Sequence, residues 1–144
     1  MKKYVSTLLV FALMLVFSTS AFAANGIGDT KESAISLINE QAISLFIEDS
    51  TDRDWFKWTN NTGVTKEFTA WNIPKDESDW ESWRFALQIS YNNGRSTGMM
   101  YAEPGRNQYF TGVQVPNGAT IYLMVEKTKG AMSQYKVVLG VENI

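Results

Sequence analysis

The sequence predicts an antiparallel β-sandwich, and three observations predict it. Short stretches of alternating or β-favouring residues recur along the chain, turn residues separate them at regular spacing, and little of the chain has helical periodicity. The turn signals are Asn60-Asn61-Thr62-Gly63, Asn93-Gly94 and Pro116-Asn117-Gly118. No long repeat or low-complexity tract interrupts the pattern.

An export signal precedes this domain. Met1-Lys2-Lys3 gives a positive start, Val5 to Phe17 is almost unbroken apolar sequence, and Ala21-Phe22-Ala23 has the small-x-small pattern of a signal-peptidase site. The apolar core is short for a membrane span, and Ser18, Thr19 and Ser20 follow it. The reading is a signal peptide over residues 1–23, then one secreted domain over residues 24–144. Without Lys2 and Lys3, the 13 basic residues become 11 against 15 acidic ones, a net charge of −4. Nucleic acid and anionic membranes are therefore poor partners for the exported chain as a whole.

The residues that are missing limit the chemistry. There is no cysteine, so no disulfide framework exists despite the oxidising destination. There is no histidine either. A Ser-His-Asp triad, a thiol nucleophile and zinc sites of the usual ligand types are all excluded. Carboxylate, lysine, tyrosine or serine chemistry remains, and such residues are common in any exported domain.

The elements follow in order. Ala24 to Glu32 is a polar leading segment; Ile35, Leu37 and Ile38 suit a short turn, and Ile43, Leu45 and Ile47 alternate as a strand. Asp49 to Asp52 breaks that strand. Trp55-Phe56-Lys57-Trp58-Thr59 forms the next, with Phe56 and Trp58 on one side and Trp55 and Lys57 on the other. Asn60 to Gly63 turns the chain, and Val64 to Trp71 is expected to return beside it as a hairpin. Asn72 to Ser82 is an acidic loop carrying Asp76, Glu77, Asp79 and Glu81. Phe85 to Tyr91 alternates cleanly, Asn93-Gly94 reverses it, and Met99 to Ala102 is the returning strand. Tyr109 to Val115, Thr120 to Glu126 and Gln134 to Val141 complete the set.

These residues carry a family resemblance. Asp52-x-Asp54-Trp55-Phe56-Lys57-Trp58, Phe85-Ala-Leu-x-Ile with Asn93-Gly94, Val115-Pro-Asn-Gly-Ala-Thr-Ile-Tyr-Leu-Met-Val and Gln134-Tyr135-Lys-Val-Val-Leu stand in that order. The chain over Asp29 to Val141 thereby resembles the bacterial pre-peptidase C-terminal domain, a family related to the collagen-binding domains of clostridial collagenases. The resemblance implies a jelly-roll-like β-sandwich that is non-catalytic and is usually appended to exported peptidases. It also implies a calcium site in an acidic leading segment. Here that segment holds Asn25, Asp29 and Glu32, with Asp52 and Asp54 approaching from the sheet. The dense acidic motif of the relatives is only partly present, and no peptidase is attached.

Two clusters thus become candidate sites. Calcium takes six to eight oxygen ligands, so clustered Asp, Glu and Asn on loops suit it; an Asp ahead of a strand also commonly caps a turn. The other cluster is aromatic: all five tryptophans, Trp55, Trp58, Trp71, Trp80 and Trp83, fall in less than a quarter of the chain. Trp58 and Trp71 read as core. Trp80 and Trp83, beside the acidic loop, read either as a lid over one end of the sandwich or, with Tyr122 extending the face, as a platform for a ligand. The leading functional expectation is a non-catalytic module for an extracellular polysaccharide, cell-wall polymer or collagen-like protein. An inhibitor or chaperone-like partner of a secreted peptidase is the second, and an enzyme the third.

Overall fold

Strands form where the sequence alternates, and they divide between two sheets. Among residues 26–144, which the computed structural model describes, the strands are β1 (Ile35–Ser36), β2 (Ala42–Ile47), β3 (Arg53–Thr59), β4 (Lys66–Pro74), β5 (Trp83–Ser90), β6 (Met100–Tyr101), β7 (Gln108–Val115), β8 (Thr120–Lys127) and β9 (Ser133–Asn143), with a 3-10 helix at Glu77–Ser82 before β5. The expected signal peptide and Asn25 lie outside the described residues. One sheet has the order β1-β3-β8-β5-β6 and the other β2-β9-β4-β7. Every pairing is antiparallel except that of β1 with β3. None of the described helical segments is long and apolar enough to cross a membrane.

The two inner faces make one core. Phe56, Phe85, Leu87, Ile121, Leu123 and Val125 from the five-stranded sheet meet Ile47, Phe68, Val115, Tyr135, Val137 and Leu139 from the four-stranded sheet, and all are buried. The alternation read from Phe85 to Tyr91 and from Thr120 to Glu126 places these side chains as expected. The Asn93-Gly94 reversal also returns the chain onto its neighbour, with Ala86 opposite Tyr101 and Leu87 opposite Met100.

The hairpin expected around Asn60 to Gly63 does not form. β3 and β4 lie in different sheets, so this turn carries the chain across the sandwich. Its partner is the equally steep turn between β7 and β8. The backbone N–H of Asn60 donates to the Ala119 carbonyl at 2.9 Å and that of Gly118 to the Asn60 carbonyl at 2.7 Å. The fully buried Asn60 side chain donates to the carbonyls of Val64 and Val115, both at 2.8 Å. A buried amide must find such partners, and here they clamp two crossovers together. Gly63 and Gly118 provide the positive φ angles, 86° and 81°, that these turns need.

Trp71 is a second correction. β4 points Phe68, Ala70 and Asn72 inward, which sends Trp71 to the outer face with 37 % of its surface exposed. Asn72 is buried beside Gln108, whose side chain donates to the Trp83 carbonyl at 2.8 Å. Trp58 does pack on the core, its ring centroid 6.0 Å from that of Phe68.

Candidate functional site

The chain segment ahead of β1 is tied to the start of β3 by the Trp55 N–H, which donates to the Gly28 carbonyl at 2.7 Å. That contact brings Asp29 to the mouth of the sandwich, where Asp52 precedes β3 and Asp54 lies within it. Carboxylate oxygens of Asp29, Asp52 and Asp54 lie within 4.8 Å of one another. They line a cavity of about 410 Å³ with Glu48, Asp49 and Thr51. Three of the five expected metal-site residues therefore converge. Glu32 is exposed and stands apart from the cluster.

Each carboxylate has a distinct setting. Asp52 accepts from the Glu48 N–H at 2.7 Å, the cheap capping role available to an Asp in a turn. Asp54 is 4 % exposed and accepts from the Tyr135 hydroxyl at 2.5 Å. Burial pushes its pKa up to about 6, the Tyr135 hydrogen bond opposes that rise, and the charges of Asp52 and Asp29 add to it. The same burial, reinforced by the Asp54 charge, raises the Tyr135 phenol. One oxygen of Asp29, Oδ1, is buried without a partner among the described residues. Crowded acids with an orphaned oxygen are the kind of donor set that could hold a hard cation.

The expected aromatic platform does not assemble. Trp83 begins β5 at 2 % exposure, with its ring 5.5 Å from that of Tyr135. A cavity of about 350 Å³ borders it, but so buried a ring offers no face to a ligand, and Trp83 is a core residue. Its position follows from the 3-10 helix, which ends at Ser82 and delivers the next residue straight into the sheet. Tyr122 lies on the outer face of the five-stranded sheet, where the Lys31 ammonium sits 4.3 Å from the ring centroid and donates to Gln88 Oε1 at 2.5 Å. Trp80 is half-buried in the 3-10 helix. The three rings thus belong to a core, a sheet face and a lid.

Ionic contacts explain why the acidic loop behaves as a lid. Lys127 Nζ, 1 % exposed, meets Asp79 Oδ2 at 2.8 Å and donates to Ser133 Oγ at 2.8 Å and the Ala131 carbonyl at 3.1 Å. It also lies 5.3 Å from the centre of the Trp83 ring. The hydrogen bond from Lys127 holds the Asp79 carboxyl below the usual range. Asp76 caps the 3-10 helix by accepting from the Ser78 N–H at 2.9 Å. The charges of Asp76 and Asp79 therefore serve the fold.

Sequence reasoning missed a different aromatic pair. Trp71 and Tyr109 stand opposite each other on β4 and β7, on the outer face of the four-stranded sheet, and Tyr109 is 56 % exposed. The alternation of β4 separated Trp71 from Phe68 but carried no sign of which side was inward.

No protein-family model matches the sequence, and no curated protein matches it. Among solved structures, the chain is similar to the pre-peptidase C-terminal domain of collagenase from Bacillus anthracis, with TM-score 0.56 and 13 % identity over 74 % of this chain and 93 % of that one. It is also similar to the Yersinia pseudotuberculosis-derived mitogen, with TM-score 0.52 and 9 % identity over 75 % and 90 % of the two chains. A weaker likeness links it to TmCBM61 in complex with β-1,4-galactotriose, with TM-score 0.45 and 12 % identity over 81 % and 79 %. At these identities the likeness is one of fold, and the fold is the β-sandwich that the strand pattern predicted.

Proposed function

We propose that this chain is an exported, non-catalytic module that binds an extracellular polymer or protein. The observation that carries the reading is the exposed Trp71–Tyr109 pair on an open sheet face. Large rings left in water on a flat surface favour stacking against a partner, since their burial is what such a surface lacks. Five of the aspartates have structural contacts that account for them without chemistry. Asp49 accepts from Thr51, Asp52 from Glu48, Asp76 from Ser78, Asp79 from Lys127 and Asp54 from Tyr135, so each is engaged in holding backbone or core. The likeness to a pre-peptidase C-terminal domain supports the same class of function through the fold alone.

In this reading Asp29, Asp52 and Asp54 hold calcium. The ion would supply charge to three crowded carboxylates and a ligand for the orphaned Asp29 Oδ1, fastening the leading segment to β3. Its role is structural.

The test is co-sedimentation of the protein with peptidoglycan, chitin, cellulose and collagen. Retention on at least one, lost in a folded Trp71→Ala, Tyr109→Ala double variant, is the expected result. Retention on none of them removes the polymer-binding reading and leaves a soluble protein as the partner.

A further inference from the structure

We infer that the outer face of the four-stranded sheet takes an acidic polysaccharide, a pyranose chain carrying carboxylates. The inference rests on the binding-module reading and names both its surface and its ligand class. Across this face Ala42, Val138, Trp71 and Tyr109 form one register row, an apolar stripe ending in two rings. The adjacent row places Gly140 beside Thr69. A Cβ at Gly140 would come within 3.9 Å of Trp71 Cζ3, so the indole extends over backbone that carries no side chain. Trp71 keeps 37 % of its surface exposed.

The next row in the opposite direction is Ser44, Lys136 and Ile73, about 7 Å along the strands from the aromatic row. Beyond it the Lys75 N–H donates to the Gln134 carbonyl at 2.9 Å. A shallow cavity of about 250 Å³ opens there, lined by Ser44, Ile73, Lys75, Gln134 and Lys136. Among the described residues, neither Lys75 nor Lys136 has a carboxylate within salt-bridge reach. The carboxylates of this face, Glu67 and Glu142, pair in register at its far end. A domain of net charge −4 therefore presents two unneutralised cations next to its open aromatic row.

That combination selects the ligand. The apolar face of a pyranose ring stacks on an aromatic side chain, and the hydroxyls of Ser44 and Thr69 and the Gln134 amide are suitable partners for sugar hydroxyls. A carboxylate on the neighbouring residue of the chain then meets Lys136 or Lys75, supplying the counter-charge this end of the face lacks. A neutral glycan leaves both lysines unanswered.

The experiment is calorimetric titration of the full protein with hyaluronan, whose repeat carries one carboxylate, and with hydroxyethylcellulose as an uncharged counterpart. The expected result is binding to hyaluronan that weakens with salt and falls at least about tenfold in Trp71→Ala. Lys136→Gln should weaken it about threefold and flatten the salt dependence. Circular dichroism melts confirm that these surface variants fold. Equal binding of the neutral polymer, indifferent to Lys136→Gln, overturns the acidic class while leaving the binding module standing. Hyaluronan binding that survives Trp71→Ala and Tyr109→Ala overturns the assignment of the face. Retention on chitin or collagen with no response to either soluble polymer also overturns this inference, and not the broader one.

Discussion

Removing the two members of the Lys127–Asp79 pair should have unequal consequences. Asp79→Ala strands an ammonium that is 1 % exposed, with only Ser133 Oγ, the Ala131 carbonyl and the Trp83 ring around it. Breaking a buried ion pair from one side costs about 3–5 kcal/mol. The Asp79 side chain is 33 % exposed, so water reaches the vacated place, and about 2–3 kcal/mol is the expected loss here. Lys127→Met keeps the packed stem and removes the buried charge; Asp79 turns to solvent, and the exposed Ala131 carbonyl finds water. That variant should lose about 1 kcal/mol or less. The double variant should resemble Lys127→Met alone, because the stranded charge is gone. Urea unfolding followed by tryptophan fluorescence, with the slope unchanged between variants, measures all three. A loss in Lys127→Met equal to that in Asp79→Ala would show that packing, and not charge, accounts for the pair.

The remaining predictions concern the acidic mouth and the core. In chelator, Asp54 holds its proton to about pH 6 in the folded state against 3.8 for the ordinary group. The folded protein then binds more protons than the unfolded chain between those values, so stability falls as pH rises through that window. The expected loss is about 1–2 kcal/mol, reduced from the full shift by solvent in the open cavity, and Asp54→Asn should flatten the profile. Calcium should raise the melting temperature more at pH 7.5 than at pH 5, where protons compete for the site; identical melts in calcium and chelator at pH 7.5 would remove the ion from the account. Trp83→Ala should cost about 3–5 kcal/mol, as a buried aromatic deletion does, whereas Trp71→Ala should cost about 1 kcal/mol or less. A loss at Trp71 as large as that expected at Trp83 in chemical denaturation would mean that the faces of β4 are reversed.

Local signals in the sequence were read well, and distant pairings were not. Asn93-Gly94 specifies a reversal between neighbouring strands, and β5 and β6 pair as that turn demands. Asn60 to Gly63 is equally turn-like, yet β4 leaves for the other sheet. A turn specifies that the chain bends, while the partner of the following strand is chosen by apolar faces far away in sequence. Alternation has the same limit: it divides β4 into two sets of side chains without saying which faces inward. The four-stranded sheet resolves that choice by burying Phe68 and Ala70 with the Asn72–Gln108 pair, and the larger Trp71 is displaced outward. Of the five residues that the family resemblance marked for a metal, the structure draws together Asp29, Asp52 and Asp54, two of them about the start of β3 and the third on the segment tied to that strand. The proposed binding face was not legible, since its rings come from β4 and β7, its lysines from β4's end and β9, and only sheet register joins them.

The order of the strands governs when this protein can fold. β5 and β6 are the only described sheet neighbours that are also consecutive in the chain; the four-stranded sheet is held together by β9, which pairs with both β2 and β4. Loop-closure entropy must be met before such distant contacts repay it, so folding should proceed in about milliseconds to seconds rather than microseconds. Until residues 133–143 have emerged, β2 and β4 have no strand to join them, and the four-stranded sheet cannot close however early the other pairs meet.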